Sequence, residues 1–167
     1  VLLLVILNGL FSTSEMAIVS ARRPRLKSRA DRGDRGAAAA LRLGGNPTRF
    51  FSSVQVGITL IGILSGAYGQ ATIAKVLGAE LATYPLIGPY ANILATGLVV
   101  IGITYLSIVI GELVPKRIAL LFPELIASMI ARPMLGVAKV LAPFVSLLTV
   151  STIGVLRLFG LRDEHGA

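Results

Sequence analysis

The stretch Ile101-Gly-Ile-Thr-Tyr-Leu-Ser-Ile-Val-Ile-Gly-Glu-Leu-Val-Pro-Lys-Arg117 runs apolar as far as a glutamate and meets a proline three residues later. Glu112 is the only acid between Tyr90 and Val114. A carboxylate at membrane depth is costly unless it is paired, solvated or holding a cation, so it marks a functional site by default. Pro115 is expected to limit the helix, to turn Val114 away from the α conformation and to free backbone carbonyls near Gly111. Loose carbonyls beside a carboxylate suit a hard cation. Tyr105, seven residues before Glu112, should share its helix face and point the acid into a packed or wet interior. The competing expectation is a headgroup-level glutamate paired with Lys116 at i+4.

Working outward, the composition sets the class. The chain is 54% hydrophobic and 14% charged, with a mean hydropathy of +0.82, far from a soluble domain's average. It reads as an integral membrane protein. The sequence has no cysteine, hence no disulfide, thiolate metal site or cysteine nucleophile, and its single histidine, His165, lies in the polar C-terminal tail. With no paired-carboxylate arrangement and no evident base beside its hydroxyl clusters, an enzyme is disfavoured. The net charge of +8 is concentrated in one short segment beside apolar stretches. Membrane topology explains it better than nucleic acid does.

Three spans are expected, at about residues 1–20, 50–77 and 90–113, each near the roughly 20 residues that cross a bilayer. The first carries Asn8, Ser12, Thr13, Ser14 and Glu15, too polar a cluster for the core of a signal peptide. Ser12 and Glu15 lie one turn apart, with Ser14 close by. Such hydroxyls more often bond a neighbouring helix than an ion, and Glu15 moves the balance toward function. Val1 to Leu7 is already apolar, so the sequence reads as trimmed at its start. Residues 22–45 are read as a basic helix along the inner membrane surface, or a solvated linker whose charges set topology. By the positive-inside rule that segment is cytoplasmic and the N-terminus outside.

The second span holds Gln55, Gly57, Thr59, Gly62, Ser65, Gly66 and Gly69. Gly62-x-x-x-Gly66 and Ser65-x-x-x-Gly69 are small-x-x-x-small patterns that let backbones approach closely, which predicts a central helix. Gln55 and Thr59 share a face and could offer oxygens toward Glu112 or bond another helix. Residues 124–161 are apolar but interrupted by Arg132, Pro133, Lys139, Pro143 and Arg157. That favours two shorter juxtamembrane helices, or a re-entrant pair, over a fourth span. Residues 162–167 read as the start of a linker. The fold class is therefore an all-α membrane protein with three transmembrane helices and juxtamembrane helices on the cytoplasmic side.

Three motifs, Asn8-Gly-Leu-Phe-Ser-Thr-Ser-Glu-Met-Ala-Ile-Val-Ser20, Gln55-Val-Gly-Ile-Thr-Leu-Ile-Gly-Ile-Leu64 and Gly111-Glu-Leu-Val-Pro-Lys116, carry a resemblance. The chain resembles the transmembrane domain of the CorC/CNNM (HlyC/CorC) family of magnesium transporters. The resemblance implies a homodimer in the cell membrane, a cytoplasmic belt of helices after the third span, and cytoplasmic CBS domains further along the chain. It implies Mg²⁺ as the transported ion, held by Glu112 and by Ser12 or Ser14, with Gly111, Pro115 and Lys116 forming the motif around the acid. Two asparagines of the family pattern are replaced here by Ile58 and Gly62. Missing oxygens would then come from water, Gln55, Thr59 or the Gly57 carbonyl. The same departure leaves room for a polyamine or other organic cation as cargo. A third reading, of another class, is a non-transporting dimeric anchor for the CBS domains.

Overall fold

A computed structural model describes residues 1–161, and these form an all-helical chain with no strand. The apolar opening makes helix α1 (Leu2–Ser20). It ends before Pro24, where the chain turns into the basic segment. That segment is two helices, α2 (Arg23–Asp31) and α3 (Arg35–Gly45), rather than the single helix expected over 22–45. Gly33 breaks it, with a φ of +95° that an L side chain rarely adopts. Asp34 then caps α3, accepting from the Ala37 N–H at 3.1 Å and from Arg29 Nε at 3.2 Å. The Ala37 hydrogen bond, outweighing some desolvation and aided by Arg29, holds the Asp34 carboxyl below its ordinary value.

Three long helices follow: α4 (Pro47–Leu81), α5 (Gly88–Leu121) and α6 (Pro123–Leu158). Pro47 opens α4, and the Asn46 side chain accepts from the Arg49 N–H at 3.4 Å. Inside α4 a π-helical turn spans Gln70–Ala74, and inside α5 another spans Val109–Leu113. The second corrects the expected break at Pro115. The wider π turn accommodates the ring and the missing N–H, and the helix runs on to Leu121.

Residues 124–161 also depart from expectation. They form one 36-residue helix in place of two shorter ones, passing through Pro133 and Pro143. Each proline removes a single N–H, and both lie on the exposed side of α6, where no neighbour depends on that bond. Four helices, α1, α4, α5 and α6, are thus long and apolar enough to cross a membrane, one more than the three expected. The expected linker at 162–167, with His165, lies outside the described residues.

The core gathers at the basic end. There Ala37, Ala40 and Leu43 of α3 join Ala127, Ala131 and Met134 of α6, Ala17 of α1, Phe50 and Val54 of α4, and Ala119 of α5. The basic segment is therefore packed structure rather than a solvated linker. A Cβ on Gly36 would run into the Ser128 backbone carbonyl, so α3 and α6 touch backbone to backbone. Glu124, at the start of α6, accepts from the Arg22 N–H at 3.3 Å and lies 3.9 Å from Arg25, tying α2 to the same end.

The face of α4 that packs is also revised. Gly57, Ile61, Ser65 and Gly69 are buried at steps of four, whereas Gly62 and Gly66 are exposed with open space where a Cβ would stand. Only Ser65-x-x-x-Gly69 fits a close crossing, because a Cβ on Gly69 would strike Ile103 of α5.

Candidate functional site

The candidate residues fall on two flanks of α1. On one flank α1 packs against the second π turn and the end of α5. Pro115 has no N–H to give to the carbonyl four residues back, which is that of Gly111. Asn8 supplies the missing donor: its Nδ2 donates to the Gly111 carbonyl at 3.1 Å, across 103 residues of chain. Close approach makes this possible, since a Cβ on Gly111 would lie 2.9 Å from Asn8 Nδ2, and one on Gly9 3.3 Å from the Ile110 carbonyl. The Gly111 carbonyl, expected to stand loose, thus accepts one hydrogen bond from Asn8.

Ser12 lies one turn beyond Asn8 on the same face. It is fully buried, and its hydroxyl is the one buried side-chain polar atom among the described residues with no hydrogen-bond partner. Such an orphan costs about 1–3 kcal/mol unless a further group meets it. Ser14 is equally buried but donates to the Phe11 carbonyl at 2.7 Å. Of the two candidate serines, Ser12 is thus the one left open.

Glu112 sits in the π turn and is half-buried. It forms no ion pair among the described residues, so the expected Lys116 partnership is absent. The π turn widens the step from Glu112 to Lys116 and takes the two side chains out of the ordinary i, i+4 relation. Tyr105 is corrected as well. It is 67% exposed, because the π turn shifts the register between it and Glu112.

On the other flank α1 packs against α4. Gly57 is buried there, and a Cβ on it would stand 2.6 Å from the Phe11 ring. Beyond this contact the helices part into a groove of about 790 Å³ between α1, α4 and α6. Glu15, Ser52, Gln55, Thr59 and Thr152 give it polar edges, and Phe51, Leu60, Ile63, Phe144, Leu147 and Leu148 give it apolar walls. Gln55 Nε2 donates to Thr59 Oγ1 at 3.4 Å. The structure thus brings Gln55 and Thr59 to Glu15, and Glu112 does not line that groove. Among the described residues no three His, Cys, Asp or Glu side chains cluster as a metal site, so a cation here would rely on neutral oxygens and water.

Sequence reasoning marked Asn8 only as one polar residue in a cluster. Its partner is a carbonyl 103 residues away, and Pro115 was the signal that such a donor would be needed. Ser52 stood out only as one of several polar residues of the second span, and Thr152 gave no signal, being an ordinary hydroxyl in an apolar helix.

A family profile described as the cyclin M transmembrane N-terminal domain matches residues 1–167. Over its full length the chain is 55% identical to the UPF0053 protein sll0260 of Synechocystis, of which it spans 37%. It is 31% identical over 163 residues to the uncharacterized protein Rv1841c of Mycobacterium tuberculosis, spanning 46% of that protein. It is 30% identical over 124 residues to a Haemophilus influenzae protein named polyamine export protein, a match covering 74% of this chain and 28% of that relative. The chain therefore spans less than half the length of these relatives.

Proposed function

We propose that this chain, which belongs to the family of the cyclin M transmembrane N-terminal domain, is the membrane part of a cation transporter whose first cargo is Mg²⁺. The observation that carries the reading is the fully buried Ser12 hydroxyl, without a partner among the described residues, on the face of α1 that meets the π turn bearing Glu112, which forms no ion pair among those residues. Glu112 supplies the charge and Ser12 a neutral oxygen. Water fills the remaining positions, as suits an ion that gives up its hydration shell reluctantly. Asn8 holds the Gly111 carbonyl and so fixes the backbone from which Glu112 projects. The π turn is where α5 can change register, and its movement against α1 is the proposed route to alternating access.

A polyamine is the second cargo. Two observations favour it: Ile58 and Gly62 offer no side-chain oxygen, and the Glu15 groove is large enough for an organic cation. The Haemophilus relative's name agrees with that reading. The transporter is proposed to act as a homodimer in the cell membrane, with cytoplasmic CBS domains elsewhere in the full protein. The exposed Gly62/Gly66 face of α4 is free for the second copy.

The proposed topology has the N-terminus outside and the C-terminus in the cytoplasm, so α6 enters the membrane beside α4, where Phe144, Leu147, Leu148 and Thr152 line the groove, without crossing it. Cysteine labelling at Leu158 from inside alone is the expected result. Labelling from outside would make α6 a fourth span. The test of function is flux in proteoliposomes containing the intact protein, with Mg²⁺ and spermidine offered separately. Flux of either cation identifies the cargo, and flux of neither supports a non-transporting anchor.

A further inference from the structure

The basic end holds a second cavity, of about 260 Å³, formed where α3, α4 and α6 meet. Arg42 of α3, Arg49 of α4 and Lys139 of α6 line it, and no carboxylate does. These three cations come from segments up to 97 residues apart, so the fold gathers them rather than the sequence. Arg25 lies 3.9 Å from Glu124 and Arg29 binds Asp34 at 3.2 Å, whereas Arg23, Arg32 and Arg35 of the same end are unpaired among the described residues but line no common cavity. Arg42, Arg49 and Lys139 have no ion-pair partner among the described residues. The rest of the lining is mostly apolar, with Leu43, Phe50, Leu135 and Ala138.

We infer that this cavity binds the phosphate headgroup of an anionic phospholipid in the leaflet next to the basic segment. The arrangement is amphipathic in the way such a lipid is. Three cations meet a phosphate, and the apolar wall begins at Phe50, where α4 enters its membrane-spanning stretch, so acyl chains can continue along the helix. A topology signal alone needs basic residues near the span and no convergence of three helices on one cavity. Arg49 also lies in the first turn of the long helix α4, whose N-terminal dipole adds to the attraction for an anion. The bound lipid would pin α3 and α6 to the base of α4.

Native mass spectrometry of the intact protein, released from mixed phosphatidylglycerol and phosphatidylcholine, tests the inference. Preferential retention of phosphatidylglycerol is expected. Changing Arg42, Arg49 and Lys139 to Gln should weaken that preference by about fivefold for each charge removed, from about 1 kcal/mol per basic residue near a membrane surface. A control removing the same charge outside the cavity, R23Q/R32Q/R35Q, should lose much less. Equal losses in both variants would overturn the site, because general attraction would then explain the binding. Displacement of the lipid by millimolar glycerol phosphate would also overturn it, assigning the cavity to a soluble phosphate. The three side chains are exposed, so their replacement leaves the core intact. Should the triple variant nonetheless unfold, the single variant K139Q set against the single control R32Q carries the same comparison.

Discussion

The two flanks of α1 present similar chemistry in opposite surroundings. Each offers one carboxylate and a few neutral oxygens. Against the π turn the fit is tight: Gly9 and Gly111 let backbones approach, Asn8 satisfies the carbonyl that Pro115 orphans, and Ser12 is sealed in without a partner. Against α4 and α6 the helices separate, and Glu15, Gln55 and Thr59 edge a groove of about 790 Å³. A small, strongly hydrated ion needs oxygens held in fixed geometry, whereas a long organic cation needs room and one counter-charge. The difference teaches that membrane-level acids cannot be assigned by residue type alone. The neighbouring backbone decides what each acid can hold.

The sharpest way to break this comparison is to neutralise each acid separately. Glu112→Gln is expected to lower Mg²⁺ flux at least about tenfold, because a contact to a charged group is worth about 1.5–3 kcal/mol. Glu15→Gln should leave Mg²⁺ flux near the wild-type level and reduce spermidine flux instead. The reverse pattern in proteoliposomes would exchange the roles of the two flanks.

Next in size is the backbone repair at Pro115. Asn8→Leu leaves the Gly111 carbonyl buried and unpaired, which should cost about 1–3 kcal/mol and lower the melting temperature. An unchanged melt would mean that the hydrogen bond is dispensable. Smaller again is Gly57→Ala, where the new methyl crowds the Phe11 ring and should cost about 1 kcal/mol through overpacking. Gly62→Ala and Gly66→Ala meet open space within the chain and should stabilise the monomer, by up to about 1 kcal/mol, through helix propensity. A large loss at Gly62 or Gly66, read together with oligomeric state, would place the second copy on that face.

The smallest effect is confined to acid pH. Asp34 has a folded-state value lowered from 3.8, so its stabilisation of α3 is present above that pH and fades as pH falls through the folded value. Melting curves taken between pH 5 and pH 3 should show a decline that is absent in Asp34→Asn.

Much of the architecture was legible because membrane helices announce themselves by length and apolarity. Glu112 stood out as a lone acid in an apolar run, and Gly33 is where the basic segment divides, though nothing in the surrounding charges revealed it. What was not legible depended on partners distant in sequence or on how a helix tolerates proline. Pro115 reads locally as a stop, yet a π turn and a donor from Asn8 let α5 continue. Pro133 and Pro143 likewise read as breaks, and α6 passes through both. Gln55 and Thr59 were correctly placed on one face, but which neighbour that face meets is settled by helix rotation, and it meets Glu15. The Gly62-x-x-x-Gly66 pattern failed as a guide to intrachain packing because four-residue spacing fits two adjacent stripes of α4 equally well.

Mg²⁺ calorimetry on the intact protein, comparing wild type with Ser12→Ala, Glu112→Gln and Glu15→Gln, reaches the central claim most directly. If the cation is held on the π-turn flank, the binding heat weakens in Ser12→Ala, disappears in Glu112→Gln and survives in Glu15→Gln. Binding that persists in Glu112→Gln and vanishes in Glu15→Gln would contradict the account and move the ion to the groove.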